Sequence, residues 1–338
     1  MNISIFAAVG SGNLGDELIL KNEIILLKKE FWEDTQFRVF TYDIQDVFYR
    51  DPQVSYLEYF PIDFRNIKKL TRNITNFKNF VITLLWSQRV VIWGWWIMYD
   101  SELQSVWNPL KQWEFRTKWA RFLRKKIYFY AVWIDIKQQE NFKLLGDIFK
   151  NAWKVTVRDQ KSKDQLKSIW IDSHIIDDPV LHDNSIDEKK WNVISVHASR
   201  TFRTSDFDSY DFRWKKIWLA LRSWYFWTSW NTQIEVLIIE ELCKYLESRW
   251  AKLIFLPHSF HPTDTLANDY EFMKQFLTLD REICASMWEV YTIYNHHLVH
   301  TVISMRLHSI ILSYVYGIDQ IVLSYSQKTE ELLKKLEQ

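Results

Sequence analysis

Along the chain, short runs of β-branched and aromatic residues alternate with longer stretches whose apolar positions recur at helical spacing. The runs 3–8, 38–42, 90–92, 127–132, 154–157 and 174–176 predict strands. A polar, charged interruption follows at 183–190, and strand-like runs resume at 193–197, 252–256, 299–303 and 320–324. Helices are expected between them, most clearly at 233–249 and 308–316. Such alternation predicts parallel sheets covered by helices on both faces. The expected fold class is therefore α/β, with two doubly wound, Rossmann-like domains, 1–183 and 190–338, facing each other across a cleft. In open α/β sheets ligands bind at the carboxyl ends of strands. The residues just after each run are accordingly the ones to search for chemistry.

Composition changes this picture in one respect. The chain holds 19 Trp and only 6 Gly. Together they make up roughly 7% of the residues, which is the ordinary share of glycine alone. In "VVIWGWWIMYD" (90–100), Trp93, Trp95 and Trp96 surround Gly94 where a strand should turn tightly. Trp133 ends a strand; Trp153, Trp170 and Trp250 follow helices, where a glycine cap is usual. Trp227 and Trp230 fill a loop of small polar residues. The expectation is an alternative genetic code, with UGA meaning glycine in the source but translated here as tryptophan. The competing reading is a tryptophan-rich protein that uses aromatic platforms to hold carbohydrate.

The remaining bounds are plain. Lys and Arg number 43 against 42 Asp and Glu, so no polyanion-binding signature exists and nucleic acid is not an expected partner. Cys243 and Cys284 form neither a metal-ligand spacing nor a disulfide framework. The longest apolar stretch, 80–96, is broken by Gln88 and Arg89, and no transmembrane segment is expected. The start of the chain lacks a basic segment of the signal-peptide kind, so a cytoplasmic location is expected. The basic stretch 116–126 reads as a solvated helix face in preference to a membrane-surface helix.

Two turns concentrate candidate chemistry. The first, "VGSGNLGDELI", contains Gly10-x-Gly12-x-x-Gly15 between a strand and a helix, formally a dinucleotide fingerprint, with Asp43 available as the ribose acid. Asp16 and Glu17 argue against a dinucleotide, because they put two carboxylates where a pyrophosphate should sit. They suit a site that holds sugar hydroxyls or orients cationic side chains, while Asp16 as a simple helix cap stays open. In the second turn, Ser304, Arg306 and His308 alternate after a strand, and an extended segment would project all three together. Arginine recognises phosphate or carboxylate with two parallel hydrogen bonds, and histidine exchanges protons near neutral pH. Arg158 with Asp159, and His258 with His261 and Asp264, occupy corresponding strand ends. A third His or Cys ligand is lacking beside the last group, so no metal is expected.

Read with glycine for the suspect tryptophans, the landmarks are "GSGNLGDE", "VVIGGGGIMYDS", "YAVGIDI", "VTVRDQKSKDQLKSIGI", "DDPV", "SMRLHSIILSYVYGI" and "SYSQK". In this combination the chain resembles the polysaccharide pyruvyl transferase family nearly end to end. The resemblance implies a fold like that of GT-B glycosyltransferases. It also implies transfer of pyruvate from phosphoenolpyruvate to two hydroxyls of a cell-surface glycan precursor, as a ketal. On matching positions it implies His308, Arg306 and Asp16 as catalytic residues, with Arg158 joining Arg306 and His308 at the phosphoenolpyruvate. Gly12, Asn13, Gly15 and Glu17 would form the facing, acceptor-side loop; Gly94, Asp100, Ser304, His258 and Lys328 complete the implied site. The family's "VSVR" element appears as "ISVHASR" (194–200), which departs from the pattern, so no arginine role is carried over there. The implied partners are phosphoenolpyruvate as co-substrate and a glycan acceptor, free or lipid-linked, the latter at the inner face of the membrane; no cofactor is implied. Two alternatives stay open: a GT-B glycosyltransferase using a nucleotide-sugar, and a non-catalytic glycan-binding protein.

Overall fold

The computed structural model describes residues 1–60, 70–94, 98–100, 109–182, 193–197, 204–223, 232–262, 264, 267–324 and 327–336. Trp95, Trp96, Trp227, Trp230, Arg200 and the interruption at 183–190 lie outside the described residues. The chain divides into two compact units. The first comprises Met1–Ser11 and Asp16–His182; the second comprises Gly12–Gly15 and Asp183–Gln338.

Among the described residues, nine strands belong to the first unit: β1 (Asn2–Phe6), β2 (Gln36–Thr41), β3 (Val54–Glu58), β4 (Arg89–Ile92), β5 (Met98–Tyr99), β6 (Lys126–Val132), β7 (Ile134–Asp135), β8 (Lys154–Val157) and β9 (His174–Ile175). Seven form one parallel sheet in the order β3-β2-β1-β4-β6-β8-β9, and β5 pairs with β7 separately. Helices α1 (Leu14–Phe31), α2 (Leu70–Trp86), α3 (Pro109–Phe122), α4 (Asn141–Phe149) and α5 (Gln160–Ser168) connect them. The central strands are apolar on both faces, β6 being buried from Ile127 through Val132. That continuous pattern belongs to a parallel sheet sandwiched between helices. An aromatic cluster fills the core, with Phe6 stacked on Phe40 at 4.6 Å and Phe129 on Phe149 at 4.0 Å.

The second unit holds β10 (Val193–His197), β11 (Lys216–Ala220), β12 (Lys252–Phe255), β13 (Glu282–Ile283), β14 (Thr301–Ser304) and β15 (Asp319–Ser324). They form one parallel sheet in the order β10-β15-β14-β11-β12-β13. Its helices are α6 (Thr232–Ser248), α7 (Asp269–Lys274), α8 (Met287–Asn295), α9 (Leu307–Val315) and α10 (Gln327–Leu336). In each large sheet the chain builds outward from one central strand first to one side and then to the other. The central strands are β1, between β2 and β4, and β11, between β12 and β14. This reversal is the topological switch point of a doubly wound fold, where ligands bind. The α/β class, with two Rossmann-like units, is as expected.

Among the described residues five strands escape the sequence pattern: β3, β11 and β13 of the two large sheets, and the β5–β7 pair. The run at β11, "KIWLA", is short and apolar on both faces, and periodicity alone cannot separate such a run from a buried helical turn. Strand β14 begins at Thr301 and not at 299, because His297 at φ 52° ends α8 and turns the chain first. Among the described residues, no helix is long and apolar enough to cross a membrane.

The second unit is stapled by Arg281, which is buried and forks onto both Glu240 and Glu247 of α6 at 2.6–3.1 Å. Removing one partner strands the other charges in a poorly solvated place. Arg281→Ala is expected to cost about 3 kcal/mol, the low end for a broken buried pair because both glutamates are partly exposed. Urea unfolding followed by circular dichroism checks it.

Candidate active site

At the switch point of the second unit, β14 ends on Ser304, which is wholly buried. The Met305 amide then donates to the Ala220 carbonyl at 2.9 Å, bringing the ends of β14 and β11 together. Arg306 is extended (φ −85°, ψ 129°) and caps α9, which starts at Leu307. The alternation expected for Ser304, Arg306 and His308 therefore stops at Arg306, and His308 is carried by the first turn of the helix. The Arg306 guanidinium forks onto Asp269: Nε donates to Oδ2 at 2.6 Å and Nη2 donates to Oδ1. Asp269 is buried at the start of α7 and also accepts the His258 amide at 3.2 Å. The fork fixes the plane of the guanidinium, as bidentate pairing does.

His258 is buried and its Nδ1 hydrogen bonds the Leu256 carbonyl at 2.9 Å, so Nδ1 carries the proton and Nε2 is the basic nitrogen. Nε2 has no hydrogen-bond partner among the described residues. Burial pushes the ring's pKa down to about 3, assisted by the charges of Arg306 and His308 and opposed by the Leu256 carbonyl. A ring held neutral in this way accepts a hydrogen bond at neutral pH but cannot serve as the acid.

The glycine motif explains itself in the same unit. Asn13 bridges antiparallel to Ser259, Leu14 donates to the His258 carbonyl at 2.9 Å, and Phe260 donates to the Gly12 carbonyl at 2.7 Å. At Gly12 (φ 74°) a Cβ would stand 2.6 Å from the Phe260 carbonyl oxygen. At Gly15 a Cβ would fall 1.9 Å from Nδ1 of His308, so the imidazole lies directly against the glycine backbone. Only a residue without a Cβ permits that approach. Of the expected site, the second unit thus brings together Gly12, Asn13, Gly15, His258, Ser304, Arg306 and His308. Asp269 was missed, because "ANDYEF" reads in sequence as a capped helix start and nothing local points to Arg306. Lys328 lies in the first turn of α10, and its side chain is outside the described residues. Among the described residues no group of three or more His, Cys, Asp or Glu is placed to hold a metal.

The first unit carries the other expected residues. Arg158 follows β8, its Nε donating to the Ala131 carbonyl at 2.9 Å and its Nη1 to Asp178 at 2.8 Å. Ala131 has φ 48° at a break in the β6–β8 register, a bulge that aims its carbonyl at Arg158. Gly94 follows β4 at the switch point (φ 156°), and the Arg158 Cζ lies 6.0 Å from the buried ring of Trp93. Asp100 is anchored, accepting the amides of Lys137 at 2.7 Å and Gln138 at 2.6 Å and the Asn141 side-chain amide at 3.2 Å. Asp16 and Glu17 occupy the first turn of α1, both buried. Glu17 turns inward and accepts the amides of Gly10 at 2.8 Å and Phe48 at 3.0 Å, tying two loops together. Burial pushes its pKa up to about 7 against those hydrogen bonds. Glu23, also missed, is wholly buried on α1 with neither oxygen hydrogen bonded among the described residues, and burial raises it well above the carboxylate range despite the charge of Arg158.

The polysaccharide pyruvyl transferase family model matches residues 13–327. The chain belongs to that family. As a polysaccharide pyruvyl transferase it is an enzyme, and the match runs from the glycine motif of the second unit to the start of α10. Among solved structures the pyruvyl transferase is similar in fold to the UDP-GlcNAc 2-epimerase from Methanocaldococcus jannaschii, at 12% identity and a TM-score of 0.53, covering 99% of this chain and 87% of that one. It is likewise similar to a Listeria monocytogenes protein assigned as a UDP-N-acetylglucosamine 2-epimerase, at 11% identity and 0.54, over 98% and 82%. At such identities these likenesses show the two-unit α/β fold alone. No curated protein matches the chain.

Two predictions follow from this geometry. Gly15→Ala displaces the His308 ring, and a shift of about 1 Å at a reacting group costs roughly 10²-fold in turnover; steady-state rates of pyruvyl transfer read it. Glu17 has a folded-state pKa of about 7 against an ordinary 4.5. Its protonated form is favoured by the fold, so its contribution is fully present below pH 4.5 and lost as pH rises through about 7. The loss is on the order of 3 kcal/mol, and Glu17→Gln should remove that part of the slope when thermal unfolding is compared from pH 5 to 8.

Proposed function

We propose that the donor is phosphoenolpyruvate, bound in the second unit by Arg306 and protonated by His308, and that the acceptor is a glycan with two neighbouring hydroxyls. The reaction adds a proton to the methylene carbon, giving an oxocarbenium-like centre that one sugar hydroxyl attacks. Phosphate leaves and the second hydroxyl closes the ketal, so two hydroxyls and phosphoenolpyruvate become a pyruvate ketal and inorganic phosphate. Supporting this division of labour, Arg306 is oriented by Asp269 to present its guanidinium, and the imidazole of His308 is pinned against Gly15. His258 is held neutral by burial, so it suits accepting a hydrogen bond from a sugar hydroxyl and carries no imidazolium proton to donate. Arg158 takes an anion-binding role at the end of β8, and Asp16 a role toward sugar hydroxyls. The reading gives a cytoplasmic enzyme acting on a free or lipid-linked acceptor, with no cofactor.

The observation that carries the proposal is the joint placement of Arg306 and His308 at a switch point, in a chain of this family. Phosphate release from phosphoenolpyruvate on adding candidate glycans tests it. Consumption of a nucleotide-sugar in place of phosphoenolpyruvate would turn the reading to a glycosyltransferase.

His308→Gln is expected to keep donor affinity, since glutamine retains size and polarity, yet to lose turnover by about 10²-fold or more, the range for a lost general acid. A near-wild-type single-turnover rate at saturating donor would remove His308 from the chemistry. Arg306→Ala should abolish measurable phosphoenolpyruvate binding by calorimetry; unchanged affinity would put the donor elsewhere.

A further inference from the structure

Three tryptophans hold a backbone conformation that large side chains avoid. Trp170, Trp214 and Trp250 have φ of 63°, 61° and 64°. For a bulky residue a positive φ is a genuine outlier. Burial does not offset the strain, because the three side chains are 97%, 80% and 65% exposed.

Two of them sit in a helix-ending motif that the chain also builds with Gly317 after α9, with Arg124 after α3 and with His297 after α8. After α9, Gly317 (φ 60°) donates to Tyr314 at 3.1 Å while Ile318 donates to Ser313 at 2.8 Å. After α5, Trp170 donates to Lys167 at 3.1 Å while Ile171 donates to Leu166 at 3.0 Å. After α6, Trp250 donates to Glu247 at 2.9 Å and Ala251 to Leu246 at 3.2 Å. This pair of bonds is the Schellman motif, whose left-handed position is usually glycine. Trp214 precedes β11 in a turn whose amide donates to the Trp250 carbonyl at 3.2 Å.

Not every suspect position shares this geometry. After α4 the left-handed residue is Asn151 (φ 56°), and Trp153 packs its ring among Arg89, Phe31 and Tyr128. At the end of β6 the positive φ belongs to Ala131, not to Trp133. Trp93 is the largest wholly buried side chain, and its indole nitrogen has no hydrogen-bond partner among the described residues. A buried donor left unpaired is costly. It stands at the carboxyl end of β4, next to Gly94 and beside Arg158.

We infer that positions 93, 170, 214 and 250 are glycine in the natural protein, encoded by UGA and read as glycine in its cell, and that the indole of Trp93 fills space that glycine leaves open beside Arg158 for an oxyanion. The first half stands on backbone geometry and composition. The second half stands on the buried, unpaired indole beside Arg158 and concerns the first unit alone, the oxyanion being named by its chemistry as a phosphate or carboxylate. Glycine at 93 also removes the unpaired indole donor.

Three measurements test the inference. The gene should carry UGA at all four positions, and peptides from the source cell should be lighter by one indole-bearing side chain at each; UGG at 170, 214 or 250 overturns the assignment. Trp→Gly at 170, 214 and 250 should raise Tm by about 2–4 °C per position as left-handed strain is relieved; an unchanged or lower Tm counts against it. Calorimetry should show the Trp93→Gly chain binding inorganic phosphate at least tenfold more tightly than the chain with Trp93. Equal phosphate affinity in both chains overturns the pocket and leaves the donor reading in the second unit standing.

Discussion

The imidazole of His308 lies so close to the backbone of Gly15 that no Cβ fits between them. That approach sets the rest of the second unit's site. It requires the segment Gly12–Gly15 to stay with the second unit, which the backbone bonds from Leu14 to His258 and from Phe260 to Gly12 achieve. Those bonds in turn place the segment 258–260 beside the ends of β11 and β14, where Asp269 meets Arg306. The site is held mainly by peptide groups, which have little conformational freedom left to lose when a ligand arrives. Preorganisation of that kind is what catalysis by positioning needs.

Burial decides the charge states around this frame. Arg306 is compensated by Asp269, so the pair adds little net charge. His258 is left neutral because desolvation outweighs its hydrogen bond to Leu256. In the first unit Arg158 is matched by Asp178, both nearly out of solvent. Glu17 and Glu23, both buried on α1, are driven toward their protonated forms by desolvation. Carboxylates that read in sequence as charged ligands thus behave differently according to depth: Glu17 ties loops together, and Asp100 is spent on the amides of Lys137 and Gln138.

The sequence by itself determined the class of the fold and most of its strands, because parallel strands buried on both faces read as unbroken apolar runs. It also singled out two turns as candidates. "GSGNLGDE" and "SMRLHS" stand out through residue types that a turn or an anion demands, and the excess of tryptophan over glycine is a matter of counting. The strand at Lys216–Ala220 was illegible, since the four apolar residues after Lys216 carry no period. Only the tertiary structure decided that His308 rides on a helix while Arg306 ends a strand, that Gly12–Gly15 belongs with the second unit, and that Asp269 is the arginine's partner. It likewise decided which tryptophans sit at left-handed positions, including Trp214, which nothing local had marked. Pairings across long chain separations and the sign of a single φ depend on how elements pack. Residue type at one position constrains neither.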